Sequence, residues 1–423
     1  MQPVTGLSYE QGPPLGVPLG FFQSATLFLL LAALAGLLAS LWPESLTSRW
    51  SPAVLAITHL LTLGFLGLVM VGAMLQMLPV LLGVTVKVRP FWAQAARHGL
   101  SAGTLLLALG LGLGDRILLI GAATMLGLSL LSLLPGFTRA LFFSPARTSL
   151  TWPYRKAWLA LWVTFILGLS LALGLAGLWP LADPIGLTHL HLTWGLGGWV
   201  LLLIIASAYQ VIPMLQLTPP YPARVSRSLT WLLFTGLLLG SLGASTMGAV
   251  ILAMTVLIFS LSTLWIQHLR RRKVVDETMS FWRLGMVSLA LCALLMPVTG
   301  QLTEPLVDPA QISLGILFLI GFASSVVMGM LYKILPFLAW FHLRTQTGAP
   351  SSQIPNMKQF IPDHQQRQHF WLHLLSVVLL LPIPFLPGPF ALLGWALLTL
   401  SALQLLRHID AVKRSFLAHG GRL

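Results

Sequence analysis

Apolar residues fall along this chain in long, nearly uninterrupted runs. They show neither the alternation of a half-buried strand nor the narrow stripe of a surface helix. The runs lie near residues 19–42, 53–83, 98–114, 117–137, 157–179, 186–216, 228–245, 247–267, 281–302, 311–341, 369–386 and 389–407. A helix needs about 20 apolar residues to cross the hydrocarbon core of a bilayer. The pattern therefore predicts an all-α fold: a polytopic membrane bundle of about twelve transmembrane helices, forming one transmembrane domain over residues 1–423. Gly114, Asp115 and Arg116 alone divide the third run from the fourth. The seventh and eighth are divided by little more than Gly243 and Ser245, which makes that boundary the weakest.

Composition supports lipid as the main solvent. Only 8% of residues are charged and 57% are apolar, with a mean hydropathy of +0.87, against about 25% charged residues in a soluble domain. The formal charge of +14 invites a nucleic-acid reading only where basic residues form one face. Here they sit in short clusters between apolar runs, so the expected partner is a bilayer and not a nucleic acid. The first twenty residues contain no Lys or Arg, unlike the n-region of a cleaved signal peptide. The run from Phe21 to Trp42 is accordingly expected to remain as a membrane anchor. The single cysteine, Cys292, excludes an intrachain disulfide.

Alternate loops gather the basic residues. Lys87, Arg89 and Arg97 fall in one, Arg139, Arg147, Arg155 and Lys156 in the next, then Arg224 and Arg227, then Arg270, Arg271, Arg272, Lys273 and Arg283. Arg344, Lys358 and Arg367 continue the series, and Arg407, Lys413, Arg414 and Arg422 occupy the tail. These are 21 of the 24 basic residues. Arg49 and Arg116 lie on the other side, and Lys333 at the basic-side end of the tenth run. A wrong helix count would scramble this order. The positive-inside rule makes the basic side cytoplasmic, so both termini are expected there, in a bacterial-type inner membrane.

The second, sixth and tenth runs are the longest and share an ungapped register: GFLGLVMVGAMLQMLP from Gly64 to Pro79, GWVLLLIIASAYQVIP from Gly198 to Pro213, and GFASSVVMGMLYKILP from Gly321 to Pro336. Tyr209 and Tyr332 coincide, as do Gln76 and Gln210. The prolines are four helices apart, which predicts three pseudo-repeats of four helices, near 19–137, 157–267 and 281–407. Repeats place a site at their interface, and broken helices ending at Pro79, Pro213 and Pro336 are expected to line a path. Gly64, Gly67, Gly195, Gly197 and Gly198 permit close approach by a neighbour or a flat cofactor.

No carboxylate lies at membrane depth. The ionisable residues there are His59, His189 and His191, which sit 20, 24 and 22 residues before their shared prolines, within about 6 Å of one another in depth. Intramembrane ionisable groups are functional candidates by default, and neutral imidazole ligates haem iron and copper. On a helix, His189 and His191 diverge by about 200°, so they address different neighbouring spaces. This favours His59 with His191 over His59 with His189. The blander alternative is that each imidazole hydrogen-bonds a nearby carbonyl or Thr58, Thr188 or Thr193. His369 and His373, one turn apart, read as solvated interface residues, with His342 and His364 in the loop before them. His98, His268, His408 and His419 read as interface or tail residues. No paired carboxylates or Ser–His–Asp set is visible.

Twelve helices in three units, both ends cytoplasmic, with histidines near the outer side of helices two and six, resemble the catalytic subunit of haem–copper oxidases and nitric oxide reductases. The stretch THLLTLGFLGLVMVGAMLQMLP, Thr58 to Pro79, looks like helix two of the C-type oxidases and of NnrS-like haem membrane proteins. The resemblance implies that His59 matches an axial ligand of a low-spin haem and that His189 or His191 matches a copper ligand. The family's helix-seven histidine pair has no counterpart in Ser228 to Ser245. Its helix-ten His-x-His zone reads Ile312, Ser313 and Ile316 here. An oxygen-reducing binuclear centre is therefore not expected. The expectation is a degenerate member holding a haem b, or copper, through His59, His189 or His191. Its roles would be electron relay, gas or redox sensing, or haem and copper handling beside respiratory membrane proteins. The alternatives are a transporter or a ligand-free assembly partner of a respiratory complex.

Overall fold

The computed structural model describes residues 12–144, 151–271, 276–348, 354–385 and 388–423; Arg147, Arg272 and Lys273 lie outside them. Every long element is a helix, and the described residues contain no strand. In chain order the long helices are α1 (Gly16–Ala39), α2 (Pro52–Leu82), α3 (Pro90–Leu113), α4 (Arg116–Phe142), α5 (Thr151–Leu175), α6 (Pro184–Gln216), α7 (Ala223–Ser241), α8 (Ser245–His268), α9 (Glu277–Thr299), α10 (Val307–Thr347), α11 (Asp363–Leu380) and α12 (Pro389–Ala418). Among the described residues nine of these, all but α3, α7 and α11, are long and apolar enough to cross a membrane. The chain is a multi-pass helical membrane protein. Its lipid face is visible on α1, where Leu27, Leu31, Leu34 and Leu38 form one exposed stripe at helical spacing.

Local chemistry sets the helix ends. The Ser51 side chain accepts from Val54 N–H ahead of Pro52, Asp115 from Leu118 N–H, Asp183 from Gly186 N–H, and Asp276 from Thr278 N–H. Each satisfies an orphan donor of a first helical turn. The Gly114–Asp115 turn, with Gly114 at φ +67°, lets α3 and α4 fold back on each other. The third helix begins at Pro90, eight residues before the apolar run, because Pro pre-sets the first helical position.

The three long helices are unusual in the same place. In α2 the backbone widens to a π-helix over Leu60–Gly67, in α6 over Thr193–Leu201, and in α10 over Ile316–Ser324. Each π segment ends twelve residues before Pro79, Pro213 or Pro336. These prolines do not end the helices, contrary to the sequence expectation. α2 and α6 continue three residues past theirs, and α10 continues to Thr347. A proline forfeits one N–H bond, and in a packed bundle the rest of the ladder carries the helix on.

The shared glycines are crossing points. A Cβ on Gly64 would lie 2.5 Å from Phe28 of α1, one on Gly198 2.8 Å from Ala160 of α5, and one on Gly321 2.6 Å from Ser288 of α9. The same register position thus receives α1, α5 and α9 in turn. Elsewhere α1 packs on α12, where Trp395 fills the place a side chain on Gly36 would take, so the first and last helices meet. At the end of the bundle that carries the basic loops, Lys333 pairs with Asp276 at 2.9 Å and Arg367 with the buried Glu277 at 2.8 Å, tying α10 and α11 to the start of α9.

All three long helices end on a left-handed residue: Gly83 (φ +64°), Gly348 (φ +63°) and Leu217 (φ +55°). A side chain in this region costs about 1–2 kcal/mol, so Leu217 is strained where the other two are not. The Leu217→Gly protein is expected to be more stable by about 1 kcal/mol, read as a higher midpoint in a detergent melt. A lower midpoint would contradict the assignment.

Candidate functional site

His59 closes the α-helical first segment of α2, immediately before its π stretch; His191 stands two residues before the π stretch of α6. The two meet. Their ring centres are 6.3 Å apart with planes inclined by 17°. His59 Nδ1 lies 2.8 Å from the Leu55 carbonyl oxygen, and His191 Nδ1 lies 3.0 Å from the Thr164 carbonyl oxygen on α5. A carbonyl only accepts, so in both rings Nδ1 carries the hydrogen and donates it. Each Nε2 is left with its lone pair free. This is the tautomer that a metal-binding histidine shows when its second nitrogen is anchored on backbone. Two imidazoles flanking one metal at about 2.0–2.1 Å place their ring centres about 6 Å apart. Gly168 makes room for the arrangement: a Cβ there would lie 2.7 Å from His191 Cε1.

His189 stands apart from this pair. It is exposed at the end of the bundle away from the basic loops, with Nε2 3.1 Å from Arg49 Nη2 and its ring edge-on to Trp50 at 6.3 Å. The guanidinium of Arg49 also lies over the Trp50 ring at 4.4 Å. Burial pulls its pKa below the ordinary range, opposed by the charge of Asp308. The divergence of a His-x-His pair on one helix is thus realised, with one ring on each side of α6. His189 faces a cavity of about 1260 Å³. All three π segments contribute to its wall, through Leu61 of α2, Thr193 and Gly197 of α6, and Ile316 and Leu319 of α10. Among the described residues no group of three or more His, Cys, Asp or Glu side chains is arranged to hold a metal ion.

The second histidine group differs from its sequence reading. His369 and His373 are not solvated interface residues, and His408 is not a tail residue: the first two are fully buried and the third is 6% exposed. α11 begins at Asp363, which carries His369 and His373 a full turn and more into the bundle, against α10 and α12. Tyr332 Oη lies 2.6 Å from His369 Nδ1 and 2.8 Å from His408 Nδ1, and His369 Nε2 lies 2.8 Å from Ser401 Oγ. His373 Nε2 lies 2.8 Å from Ser325 Oγ. The i, i+4 spacing of His369 and His373, and the Tyr332 matched by Tyr209, were the sequence signals. The burial was not readable. His98, His268, His364 and His419 are exposed, and His342 is half-buried.

Gly168→Val forces a side chain onto the His191 ring and is expected to lower stability by about 1–3 kcal/mol. Gly112→Val, where nothing lies within 4 Å, is expected to show no such loss. Paired thermal melts in detergent check this, and equal midpoints would refute the close contact. No protein-family model matches the chain, and neither does any curated protein.

Proposed function

We propose that this chain is a haem–copper-oxidase-like membrane protein of twelve spans, in three units of four helices with both ends cytoplasmic, that holds a haem b between His59 and His191. One observation carries the reading: two imidazoles from different helices, parallel within 17° at 6.3 Å, each anchored through Nδ1 on a carbonyl with Nε2 unused. The donor set favours haem over a bare ion. The pair supplies two nitrogens and, among the described residues, has no third ligand beside it. A porphyrin brings four nitrogens of its own and asks the protein for two. Copper, which imidazole also suits, is the alternative occupant of the same pair.

Support for three units comes from the π segments at one register before Pro79, Pro213 and Pro336, and from α1, α5 and α9 each crossing the shared glycine of the following long helix. The third unit has Ile316 and Leu314 where the first two have His59 and His191.

Bound haem would supply one-electron chemistry. The chain's own residues set its terms. The carbonyls of Leu55 and Thr164 fix both ring planes and tautomers. Both histidines would be committed to holding the haem, which favours electron relay over gas sensing or oxygen reduction. His189 serves instead at the cavity with Arg49. That cavity, walled by the π segments of all three long helices, favours a transporter as the second reading.

The test is the absorbance spectrum of protein expressed with ample haem. A Soret band is expected, lost in His59→Ala and in His191→Ala and kept in His189→Ala. Colourless protein with neither iron nor copper by elemental analysis would sink the proposal. A colourless protein carrying about one copper, lost in the same two variants, would replace haem by copper.

A further inference from the structure

The cavity beside His189 lies across α6 from the His59–His191 pair, and neither of those two rings lines it. Its polar and apolar walls are separated by depth. At the mouth stand Arg49, Trp50, Trp179 and His189. Both tryptophans are exposed, and exposed tryptophans of a membrane protein gather at the level of the lipid headgroups. Further in, the wall is built of residues such as Leu61, Leu201, Leu252, Leu289 and Leu319. The hydroxyls of Thr188, Thr193 and Ser241, which also line it, are each returned to a carbonyl one turn earlier.

Arg49 is the cation of this mouth, and its hydrogen-bonding capacity is not used up. Nη2 donates to His189 Nε2 at 3.1 Å, the guanidinium rests on the Trp50 ring, and Nε–H is buried without a partner. Among the described residues Arg49 forms no ion pair. Asp183, the carboxylate of the same mouth, accepts from Gly186 N–H as the cap of α6. Because His189 accepts at Nε2, its hydrogen sits on Nδ1, which gives the ring a donor of its own. A guanidinium fork with an imidazole N–H beside it suits a phosphate group.

We propose that the cavity holds one diacyl phospholipid of the leaflet opposite the basic loops, with its phosphate on Arg49 and His189 and its acyl chains along the apolar wall. Size and depth argue for a lipid over a smaller anion. The volume, about 1260 Å³, exceeds the roughly 300–1,000 Å³ of a pocket for a drug-sized molecule. On α6 the lining runs from His189 to Leu201, about 18 Å of helix at about 1.5 Å per residue. One leaflet contributes about half of a hydrocarbon core roughly 30 Å thick. A lipid with its head at the mouth therefore has chains of the right reach. A bare phosphate ion would satisfy Arg49 and leave the apolar wall without a partner. The site requires neither a haem at His59 and His191 nor transport through the cavity.

The test titrates the delipidated full chain, in detergent, with dioleoyl phosphatidylglycerol and counts adducts by native mass spectrometry. One adduct is expected to saturate ahead of the rest. Arg49→Gln removes the charge, and Gly315→Phe fills the cavity at a wall position where an added Cβ meets nothing within 4 Å. Each is expected to weaken that adduct about tenfold or more. Gly112→Phe, equally unobstructed but away from the cavity, is expected to leave it unchanged. Palmitate, titrated in parallel, is expected to bind more weakly than the phospholipid. Absence of a saturating adduct overturns the proposal, and so does full-strength binding in Arg49→Gln or in Gly315→Phe. An equal loss in Gly112→Phe marks annular lipid and overturns it too, and tighter binding of palmitate overturns the diacyl occupant. Should Gly315→Phe fail to fold by circular dichroism, Gly240→Phe, a second open position on the wall, decides in its place: full binding overturns the site, and loss supports it.

Discussion

Hydrocarbon offers a polar group nothing to bond to, and an unpaired backbone N–H or C=O there costs several kcal/mol. The rest of this structure follows from that constraint. The chain keeps its three longest helices continuous by widening the ladder to a π-helix over Leu60–Gly67, Thr193–Leu201 and Ile316–Ser324, not by breaking it. A π segment rotates the faces of the helix before and after it while leaving every backbone group close to a partner. Because His59 and His191 stand just ahead of such segments, their rings can turn towards each other while the residues beyond still pack on α1 and α5.

The same constraint sorts the polar side chains. Thr26, Thr62 and Thr104 return their hydroxyls to a carbonyl one turn earlier and are thereby silent. His59 and His191 satisfy one nitrogen on backbone and keep the other's lone pair unused. His369, Tyr332, His408 and Ser401 satisfy one another, which is the state of a connected network. Two groups of the same residue type, in one bundle, are thus suited to different chemistry by what their second nitrogen touches.

The spans were largely legible in the sequence. Each of the apolar runs overlies a helix, and the boundary at Gly243 is a true turn, with φ +90°. The run at 369–386 was displaced: α11 ends at Leu380, ahead of Pro382 and Pro384, and begins at Asp363, because a helix start is polar and carries no hydropathy signal. That displacement is why His369 and His373 read as interface residues although they are buried. The meeting of His59 with His191, and the turning of His189 to Arg49, followed in part from the 100° step of a helix. The π segments, which no residue type announces, were not readable at all.

The sequence alone settled that the chain lives in lipid and where its helices lie, since span length and hydropathy are properties of a single segment measured against the thickness of a bilayer. The tertiary structure alone decided which imidazoles face each other, which are enclosed, and that Tyr332 joins His369 to His408. Those outcomes depend on how one helix is rotated and raised against the next. A helical period fixes which residues share a face, and packing between helices decides what that face meets.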